Sequence, residues 1–386
     1  MSERWVPFHL PDIGAEEISA VTKVLESGWL TTGHKVKQFE ERFATQVEAA
    51  HAVATNSCTA ALHLALDAVG VQEGDEVIVP TMTFAATAEV AAYFKAIPVL
   101  VDCDPRTLNL DIEGVAAKIT KRTKAVIPVH FAGHPCEMQD VLEVAAAHGL
   151  SVVEDAAHAF PAVQKGRPIG SIGDITCFSF YATKTLTTGE GGMATTNNPA
   201  WAEHMRRMSL HGITKDAWAR YSDTGSWYYE IGAPGYKYNL TDIAAAIGLE
   251  QLAKAQRFLL KRKKIAAAYS DGLSDVPEVR LPQVPTDSEH SWHLYVIQLD
   301  LQRLRITRSG FIEALKKYGV GTSVHFIPLH LHPYYRSRFG FIPADFPVAS
   351  EAFERIVSLP IYPKMTDLDI QHVIDSVRTV VTEYRR

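Results

Sequence analysis

Two segments, LSVVEDAAHAF at residues 150–160 and ITCFSFYATKTLTTGEGGM at residues 175–193, decide the predicted fold. In each segment a short apolar run, typical of a buried strand, ends in residues that can do chemistry. The first run ends at Glu154 and Asp155, with His158 three positions after Asp155, and the second leads into Lys184 among small polar residues and glycines. Because α/β folds bind ligands at the carboxyl ends of their strands, these residues are expected to share one site.

Short apolar runs alternate with helical periodicity through most of the first 200 residues around these segments. This order is typical of βα units around a largely parallel sheet, so the predicted class is α/β. The predicted strands are His51–Ala54, Glu76–Val79, Ile97–Val101, Ala125–Val129, Ser151–Val153 and Thr176–Phe180. The predicted helices are 16–27, 37–47, Thr59–Val69, Phe84–Tyr93, Ile112–Ile119 and Met138–His148.

The carboxyl-terminal part has a different pattern. A long helix is predicted over Asp242–Leu273, with the KRKK patch at 261–264 as a solvated face, and a smaller α+β domain follows. That domain is predicted to contain an alternating strand at 292–300, a helix at Arg308–Tyr318, a strand at 321–326 and a helix at Thr366–Tyr384. We therefore expect a large domain over residues 1–250 and a small domain over residues 251–386.

Residues 212–239 join these parts and lack both helical and strand periodicity. Seven tryptophans and tyrosines stand there among four glycines. A segment of this length without regular structure is often functional, so it is expected either to cover a site or to pack as an aromatic surface loop.

The composition excludes several classes of protein. Hydrophobic residues make up 47% and charged residues 21% of the 386, which is ordinary globular usage. With 38 Lys and Arg against 44 Asp and Glu, the net charge of −6 gives no basic field for nucleic acid. The amino terminus MSERWVPFHL lacks a secretory leader and no apolar run is long enough to cross a membrane, so a cytoplasmic protein without a membrane partner is expected. The four cysteines form no CxxC pair and are expected to be reduced core thiols.

A phosphate site is indicated by HAVATNSCTAALHLAL, residues 51–66. It is predicted to form a strand, a short polar turn and a helix that opens near Thr59, so free backbone amides and the positive end of the helix dipole would face an anion. Ser57 and Thr59 are equally compatible with ordinary helix capping. The GxxxxGK[ST], GxGxxG and GxSxG motifs are absent from the sequence.

A carboxylate, a lysine and a phosphate-ready helix start together are typical of pyridoxal phosphate chemistry. The coenzyme acts as an electron sink when a carboxylate keeps its pyridine nitrogen protonated, and Asp155 is the candidate for that role. Partial burial would lower the pKa of Lys184 and make it a usable amine nucleophile. A structural Asp and a surface Lys that merely coincide remain the alternative.

Six motifs in this order resemble the DegT/DnrJ/EryC1/StrS family of pyridoxal-phosphate sugar aminotransferases: PTMTFAAT, VHFAGHP, EDAAHAF, FSFYATKTLTTGEGG, PGYKYNLTDIAAAIG and GTSVHF. The resemblance runs from about Pro11 to the carboxyl terminus. It implies an aspartate-aminotransferase-like large domain of fold type I, with a nucleotide-linked keto sugar and L-glutamate as substrates. Within the family, the likeness is greatest to members that aminate a UDP-linked 4-keto-pentose.

The resemblance also implies roles for single residues. Lys184 matches the lysine that binds the cofactor covalently, Asp155 matches the carboxylate on the pyridine nitrogen, and His158 matches the contact near the phenolic oxygen. The remaining cofactor contacts implied are Phe84, which stacks on the ring, and Cys58, Thr59 and Ser179 at the phosphate.

Three further positions concern the substrate and the assembly. Asn239 matches a residue that reaches the phosphate in the neighbouring subunit, which implies a homodimer with shared active sites. His325 and Trp29 are predicted to bind substrate, although a buried histidine at a strand end would look the same as His325. His325, His330 and His332 have no carboxylate at ligand spacing, so no metal is expected.

Two rival functions remain open from the sequence. The first is an enzyme of the same fold that acts on another keto substrate, and the second is a non-catalytic regulatory homologue. The family also contains a sugar dehydratase with His in place of the lysine. Lys184 therefore favours transamination over dehydration.

Overall fold

The computed structural model describes residues 4–213 and 228–386. Within these residues the strands are β1 (His51–Thr55), β2 (Glu76–Pro80), β3 (Ile97–Val101), β4 (Thr123–Val126), β5 (Ser151–Asp155), β6 (Val163–Gln164), β7 (Arg167–Pro168), β8 (Ile175–Ser179), β9 (Gly192–Thr196), β10 (Val279–Arg280), β11 (Ser288–Glu289), β12 (Tyr295–Leu299) and β13 (Ile356–Leu359). The helices are α1 (Ala15–Ser27), α2 (His34–Gln46), α3 (Cys58–Ala68), α4 (Ala86–Tyr93), α5 (Ile112–Lys118), α6 (Met138–His148), α7 (Pro199–Met208), α8 (Asp242–Gly272), α9 (Arg308–Lys317), α10 (Pro333–Phe339), α11 (Pro347–Arg355) and α12 (Asp367–Tyr384).

A mostly parallel sheet forms the centre of the large domain. Among the described residues it has seven strands in the order β1-β9-β8-β5-β4-β2-β3. Strand β9 is antiparallel to both its neighbours, whereas the remaining pairs are parallel. The predicted α/β class is confirmed, with predicted strand ends displaced by a few residues, as at β5, which continues to Asp155.

Strand β9 was not predicted from the sequence. Its residues, GMATT, give no apolar alternation, yet all five are buried between β1 and β8. A glycine is required at its first position because α3 begins against this strand. A Cβ on Gly192 would lie 2.4 Å from the carbonyl oxygen of Ser57.

The small domain contains a three-stranded antiparallel sheet, β10-β12-β13. The predicted strand at 321–326 is wrong: only Ser323 pairs, in a single bridge to Ser358. Beyond that bridge the chain leaves the sheet, and His325 and Phe326 line a cavity instead. The last two residues of GTSVHF therefore line a site instead of continuing a ladder of strand pairs.

Helix α8 connects the two hydrophobic cores. Near its start, Ala245 and Leu249 pack in a cluster with α2 and the large sheet, and near its end Ile265 and Tyr269 pack in the core of the small domain. The predicted domain division after residue 250 falls within this helix.

The prediction that residues 261–264 form a solvated face is wrong for Arg262. Arg262 is 1% exposed and donates to the carbonyl oxygens of Trp292 (3.0 Å) and Ile361 (2.7 Å). Three backbone acceptors, with His293 as the third at 3.4 Å, accept hydrogen bonds from Nη1 of the buried guanidinium, whereas its Nε has no partner among the described residues. In this run of four basic residues, Arg262 is therefore a buried residue that binds backbone carbonyls of the small domain.

The aromatic segment is described only at its ends, because Trp218, Tyr221 and Trp227 lie outside the described residues. Tyr236 and Tyr238 stack with ring centroids 5.0 Å apart, and the Tyr238 hydroxyl lies 3.1 Å from Nδ1 of His63 on α3. These two tyrosines therefore pack against the large domain. Among the described helices, none has the length and apolar character needed to cross a bilayer.

Candidate active site

A cavity of about 510 Å³ opens at the carboxyl ends of the parallel strands. Its lining includes eight of the ten predicted site residues: Cys58, Thr59, Phe84, Asp155, His158, Ser179, Lys184 and His325. These residues come from widely separated parts of the sequence. The sheet topology brings them together, as expected for ligand sites of α/β folds.

The first turn of α3 forms one wall of the cavity. The Ser57 side chain caps this helix and accepts a hydrogen bond from the Ala60 amide at 3.1 Å. The amides of Cys58 and Thr59, in the first turn, have no intrahelical acceptor because of their position. The cavity is therefore lined by a helix N-terminus that can bind an anion, and Ser57 has the capping role that the sequence left open.

Asp155 faces the cavity, whereas Glu154 does not line it. Side chains alternate along β5, which separates the two carboxylates. The Asp155 carboxylate accepts from the Thr87 hydroxyl at 2.7 Å and from the Ala157 amide at 3.1 Å. Both oxygens are thereby oriented by fixed donors.

Glu154 belongs to a separate buried network on the other face of β5. It accepts from Nε2 of His130 (2.8 Å), from the Thr176 hydroxyl (2.7 Å) and from the Gly173 amide (2.7 Å). Burial acts to raise the pKa of Glu154, but these hydrogen bonds hold it below its ordinary value. Its acceptors are occupied by protein donors, so Glu154 is not available to a ligand in the cavity.

Lys184 lies in the loop between β8 and β9, and its side chain is only partly buried because it lines the cavity. Burial lowers the pKa of Lys184 to about 8, although the nearby Asp155 carboxylate acts in the opposite direction. A larger fraction of this amine is therefore neutral near pH 7.5 than of an ordinary lysine. Such an amine is a usable nucleophile.

Three imidazoles line the cavity close to Lys184. The rings of His158 and His293 have centroids 4.3 Å apart, and Nδ1 of His325 lies 2.9 Å from the Ser358 hydroxyl. Burial, with a further contribution from the Lys184 charge, lowers the pKa of His325 to about 4 and that of His158 well below its ordinary value. All three rings are expected to be neutral at physiological pH, because burial also lowers the pKa of His293.

Aromatic side chains form the remaining walls. Phe84 is 63% exposed at the cavity, and its ring centroid lies 6.1 Å from that of Phe326. Phe326 also stacks on His158 at 5.6 Å. Sequence reasoning missed Phe326 and His293. Phe326 directly follows His325 in GTSVHF, and that position is the signal that could have indicated it. His293 stands at the start of the apolar pattern WHLYVIQLD, which predicts a strand and no site.

Trp29 and Asn239 are absent from the described lining of the cavity. The structure places them beside each other. The Asn239 amide donates to the Thr32 hydroxyl at 2.6 Å, and the Trp29 indole donates to the Thr32 carbonyl at 3.1 Å. Trp29 and Asn239 thus both contact Thr32, outside the cavity of their own chain.

The histidines that could have suggested a metal have other partners. His330 contacts the hydroxyls of Thr81 (2.7 Å) and Ser350 (2.9 Å), and Nε2 of His332 lies 3.2 Å from the Ile327 carbonyl. Within residues 4–213 and 228–386, no three His, Cys, Asp or Glu side chains are grouped to hold a metal ion. The four cysteines are free thiols, three of them buried.

Comparison with known proteins agrees with this geometry. The profile of the DegT/DnrJ/EryC1/StrS aminotransferase family matches residues 11–378. The Bacillus subtilis spore coat polysaccharide biosynthesis protein SpsC is 53% identical over 378 residues, 98% of this chain and 97% of SpsC. An uncharacterized protein of Methanocaldococcus jannaschii is 51% identical over 383 residues, 99% of each chain.

Solved structures extend the comparison to the fold and the cofactor. Spr1654 of Streptococcus pneumoniae, described as a sugar aminotransferase, has been solved in a PLP form, with a TM-score of 0.91 and 36% identity over 98% of this chain and 99% of Spr1654. A PMP form of the same protein gives the same TM-score and identity. The predicted fold type and the predicted cofactor are confirmed. This chain belongs to the DegT/DnrJ/EryC1/StrS aminotransferase family, and its solved structural neighbours include pyridoxal-phosphate-dependent sugar aminotransferases of fold type I.

Proposed function

We propose that this aminotransferase moves an amino group from L-glutamate to the keto carbon, C4, of a nucleotide-linked keto sugar. The observation that carries the proposal is the meeting of Lys184, Asp155 and the α3 N-terminus in one cavity. The resemblance to enzymes of UDP-linked 4-keto-pentoses supports a UDP sugar. The role of SpsC in spore coat polysaccharide biosynthesis supports a product used in cell-envelope polysaccharide or a related amino sugar, such as that of lipopolysaccharide.

The donor set of the cavity suits pyridoxal phosphate. Free amides at the start of α3 suit a dianionic phosphate, and the hydroxyls of Thr59 and Ser179 add donors beside them. Gly192 lets the strand approach α3 closely, since a Cβ there would meet Ser57 and Cys58. Nδ1 of His158 is sealed from solvent and has no protein partner among the described residues, so the ring can offer Nε2 to a ligand in the cavity.

Lys184 has two tasks in the proposed mechanism. When bound, the cofactor supplies the electron sink that stabilises negative charge at the reacting carbon. Lys184 holds the resting cofactor through its amine and then moves a proton at the substrate carbon. A pKa of about 8 suits both tasks, because near neutral pH the amine can accept a proton and give it up again.

Asp155 is proposed to keep the pyridine nitrogen protonated. Its carboxylate is 5% exposed and is oriented by the hydrogen bonds from Thr87 and Ala157. A buried, fixed carboxylate stabilises a positive charge beside it more strongly than an exposed one would. Phe84 is proposed to stack on the cofactor ring, and His158 to donate to its phenolic oxygen.

The active unit is proposed to be a homodimer with shared sites. Asn239 lies outside the cavity of its own chain, in a β-bridge with Thr55 at the end of β1. From this position it is proposed to reach the phosphate bound by the partner subunit. Trp29 and His325 are proposed to contact substrate, Trp29 from the same neighbourhood as Asn239.

Two other functions compete with this proposal. A different keto substrate would use the same Lys184 and Asp155 and is distinguished only by products. A non-catalytic homologue needs neither the amine nor the carboxylate in the cavity, so the retention of both side chains disfavours it. The cytoplasmic location stays a prediction.

The test is an assay of the reconstituted enzyme with ¹⁵N-labelled L-glutamate and a panel of UDP-, GDP- and dTDP-linked keto sugars. We expect ¹⁵N at C4 of one sugar, identified by mass spectrometry and NMR. The Lys184→Ala enzyme serves as the matched control. Transfer to a free keto acid, with no transfer to any sugar of the panel, would contradict the nucleotide-sugar assignment.

A further inference from the structure

The cavity contains one histidine to which neither the sequence motifs nor the family resemblance assigns a role. His293 comes just before β12 and lines the cavity beside His158. Both residues are 5% exposed, and their ring centroids are 4.3 Å apart. His293 therefore lies where it can reach the same ligand as His158.

The Nδ1 atoms of His158 and His293 indicate which tautomer each ring adopts. In both rings Nδ1 is sealed from solvent and has no hydrogen-bond partner within the described part of the chain. A buried N–H without an acceptor costs more than an unpaired acceptor, so Nδ1 is the unprotonated nitrogen. Each ring lines the cavity with Nδ1 sealed, so the Nε2–H group is the one that it presents to a ligand.

Backbone contacts fix His293 against the large domain. The Ser291 amide donates to the Gly133 carbonyl at 3.0 Å, and the Leu294 amide donates to the Ala132 carbonyl at 3.1 Å. The Ser291 hydroxyl donates to the carbonyl oxygen of His158 itself at 2.6 Å. The segment that carries His293 is thereby tied to the segment that carries His158.

A second tie comes from helix α8. The buried guanidinium of Arg262 donates to the carbonyls of Trp292 and His293, at 3.0 and 3.4 Å. Trp292 has a φ of 53°, in the left-handed region that bulky residues rarely adopt. Conformations of this kind persist where the surroundings over-determine them, often at functional sites. Arg262 is thus a positioning residue for His293.

We propose that His293 is a second imidazole donor of the active site, whose Nε2–H binds an anionic oxygen of the bound cofactor or of the amino-donor carboxylate. This inference rests on the proposed function, which brings both oxygens into the cavity. The described lining of the cavity contains no arginine, so the donors that it offers to such oxygens are Lys184, backbone amides, hydroxyls and imidazoles. Two fixed, neutral donors side by side meet this need.

The test compares His293→Asn with His293→Gln. The Gln amide places its N–H near the position of Nε2, whereas the shorter Asn amide places it near Nδ1. His134→Asn is the matched control, because His134 is equally buried, at 5% exposure, and does not line the cavity. The readouts are the Kd of pyridoxal phosphate for the apoenzyme, measured by absorbance titration, and the KM for glutamate.

We expect His293→Asn to weaken one of the two constants by about tenfold to a hundredfold, the loss of a hydrogen bond to a charged group, and His293→Gln to restore most of it. A raised Kd identifies the cofactor oxygen, and a raised KM at normal Kd identifies the carboxylate. Both constants at the wild-type value in His293→Asn would overturn the inference. Failure of the wild type and His134→Asn to transaminate would instead count against the proposed function.

A measurement on the unmodified protein covers the case in which a variant does not fold. With ¹⁵N-labelled histidine, the Nε2 signal of His293 should shift when pyridoxal phosphate or glutamate is added. A signal unchanged by either ligand would also overturn the inference.

Discussion

Lys184 should titrate far below an ordinary lysine, even in the apoenzyme. Burial lowers its pKa from 10.5 to about 8. That difference of about 2.5 units corresponds to about 3 kcal/mol between the two protonation states. At pH 7.5 about a quarter of the Lys184 amine is then neutral, against about one part in a thousand for an ordinary lysine.

Competitive reductive methylation measures this pKa directly, because only the neutral amine reacts. The apoenzyme is treated with formaldehyde and cyanoborohydride between pH 6 and 11, and the Lys184 peptide is quantified by mass spectrometry. Lys95, whose side chain is 74% exposed, is the internal reference. The Lys184 rate should rise with a midpoint of about 8. The reasoning fails if the midpoint lies near 10.5.

Two further experiments test why the pKa of Lys184 is lowered: the Asp155→Asn substitution and the pH dependence of protein stability. The Asp155 carboxylate raises the pKa of Lys184, so its removal should lower the midpoint further. Because the pKa is lower in the folded protein, the unfolded chain binds more protons between about pH 8 and 10.5. The free energy of unfolding of the apoenzyme should therefore rise with pH in that window, and Lys184→Met should remove this contribution.

Three other predictions concern the cofactor carboxylate, the assembly and the buried arginine. Asp155→Asn should slow turnover by about a thousandfold, about 4 kcal/mol of barrier, with little change in cofactor affinity; near-normal kcat would show that another group protonates the ring. Asn239→Ala should weaken cofactor retention, and its coexpression with the inactive Lys184→Ala chain should give heterodimers with one intact site of two, so that the randomly assorted mixture recovers up to about a quarter of wild-type activity; a fully active monomer by light scattering would exclude shared sites. Arg262→Met should lower the free energy of unfolding by about 2–5 kcal/mol in urea titrations, whereas exposed Lys261→Met should change it by less than about 0.5; equal effects would refute the buried role of Arg262.

Much of the fold and of the site could be predicted because the parallel strands carry strong local signals. Each strand is an apolar run of the right length, and Asp155 and Lys184 follow two of these runs directly. Since strand ends meet at one edge of such a sheet, residues far apart in sequence could be assigned to one site. Seven of the eight lining residues follow this rule, whereas His325 comes from the small domain.

The rest depends on contacts between distant segments, which no local pattern records. Strand β9 begins with Gly192 because α3 starts against it, and its GMATT sequence gives no strand signal. Arg262 stands in a basic run that is typical of a solvated face, yet three backbone carbonyls accept its hydrogen bonds. His293 begins a strand pattern, and only tertiary packing places its ring on His158.

The half-reaction with glutamate tests the central claim most directly. Enzyme reconstituted with pyridoxal phosphate is mixed with L-glutamate alone, and the cofactor absorbance near about 400 nm is followed while 2-oxoglutarate is measured. The band should disappear with one equivalent of 2-oxoglutarate per site and return on addition of the nucleotide-linked keto sugar, whereas Lys184→Ala should form no 2-oxoglutarate. A band that glutamate leaves intact in the wild-type enzyme, with no 2-oxoglutarate formed, would contradict glutamate-dependent amino transfer.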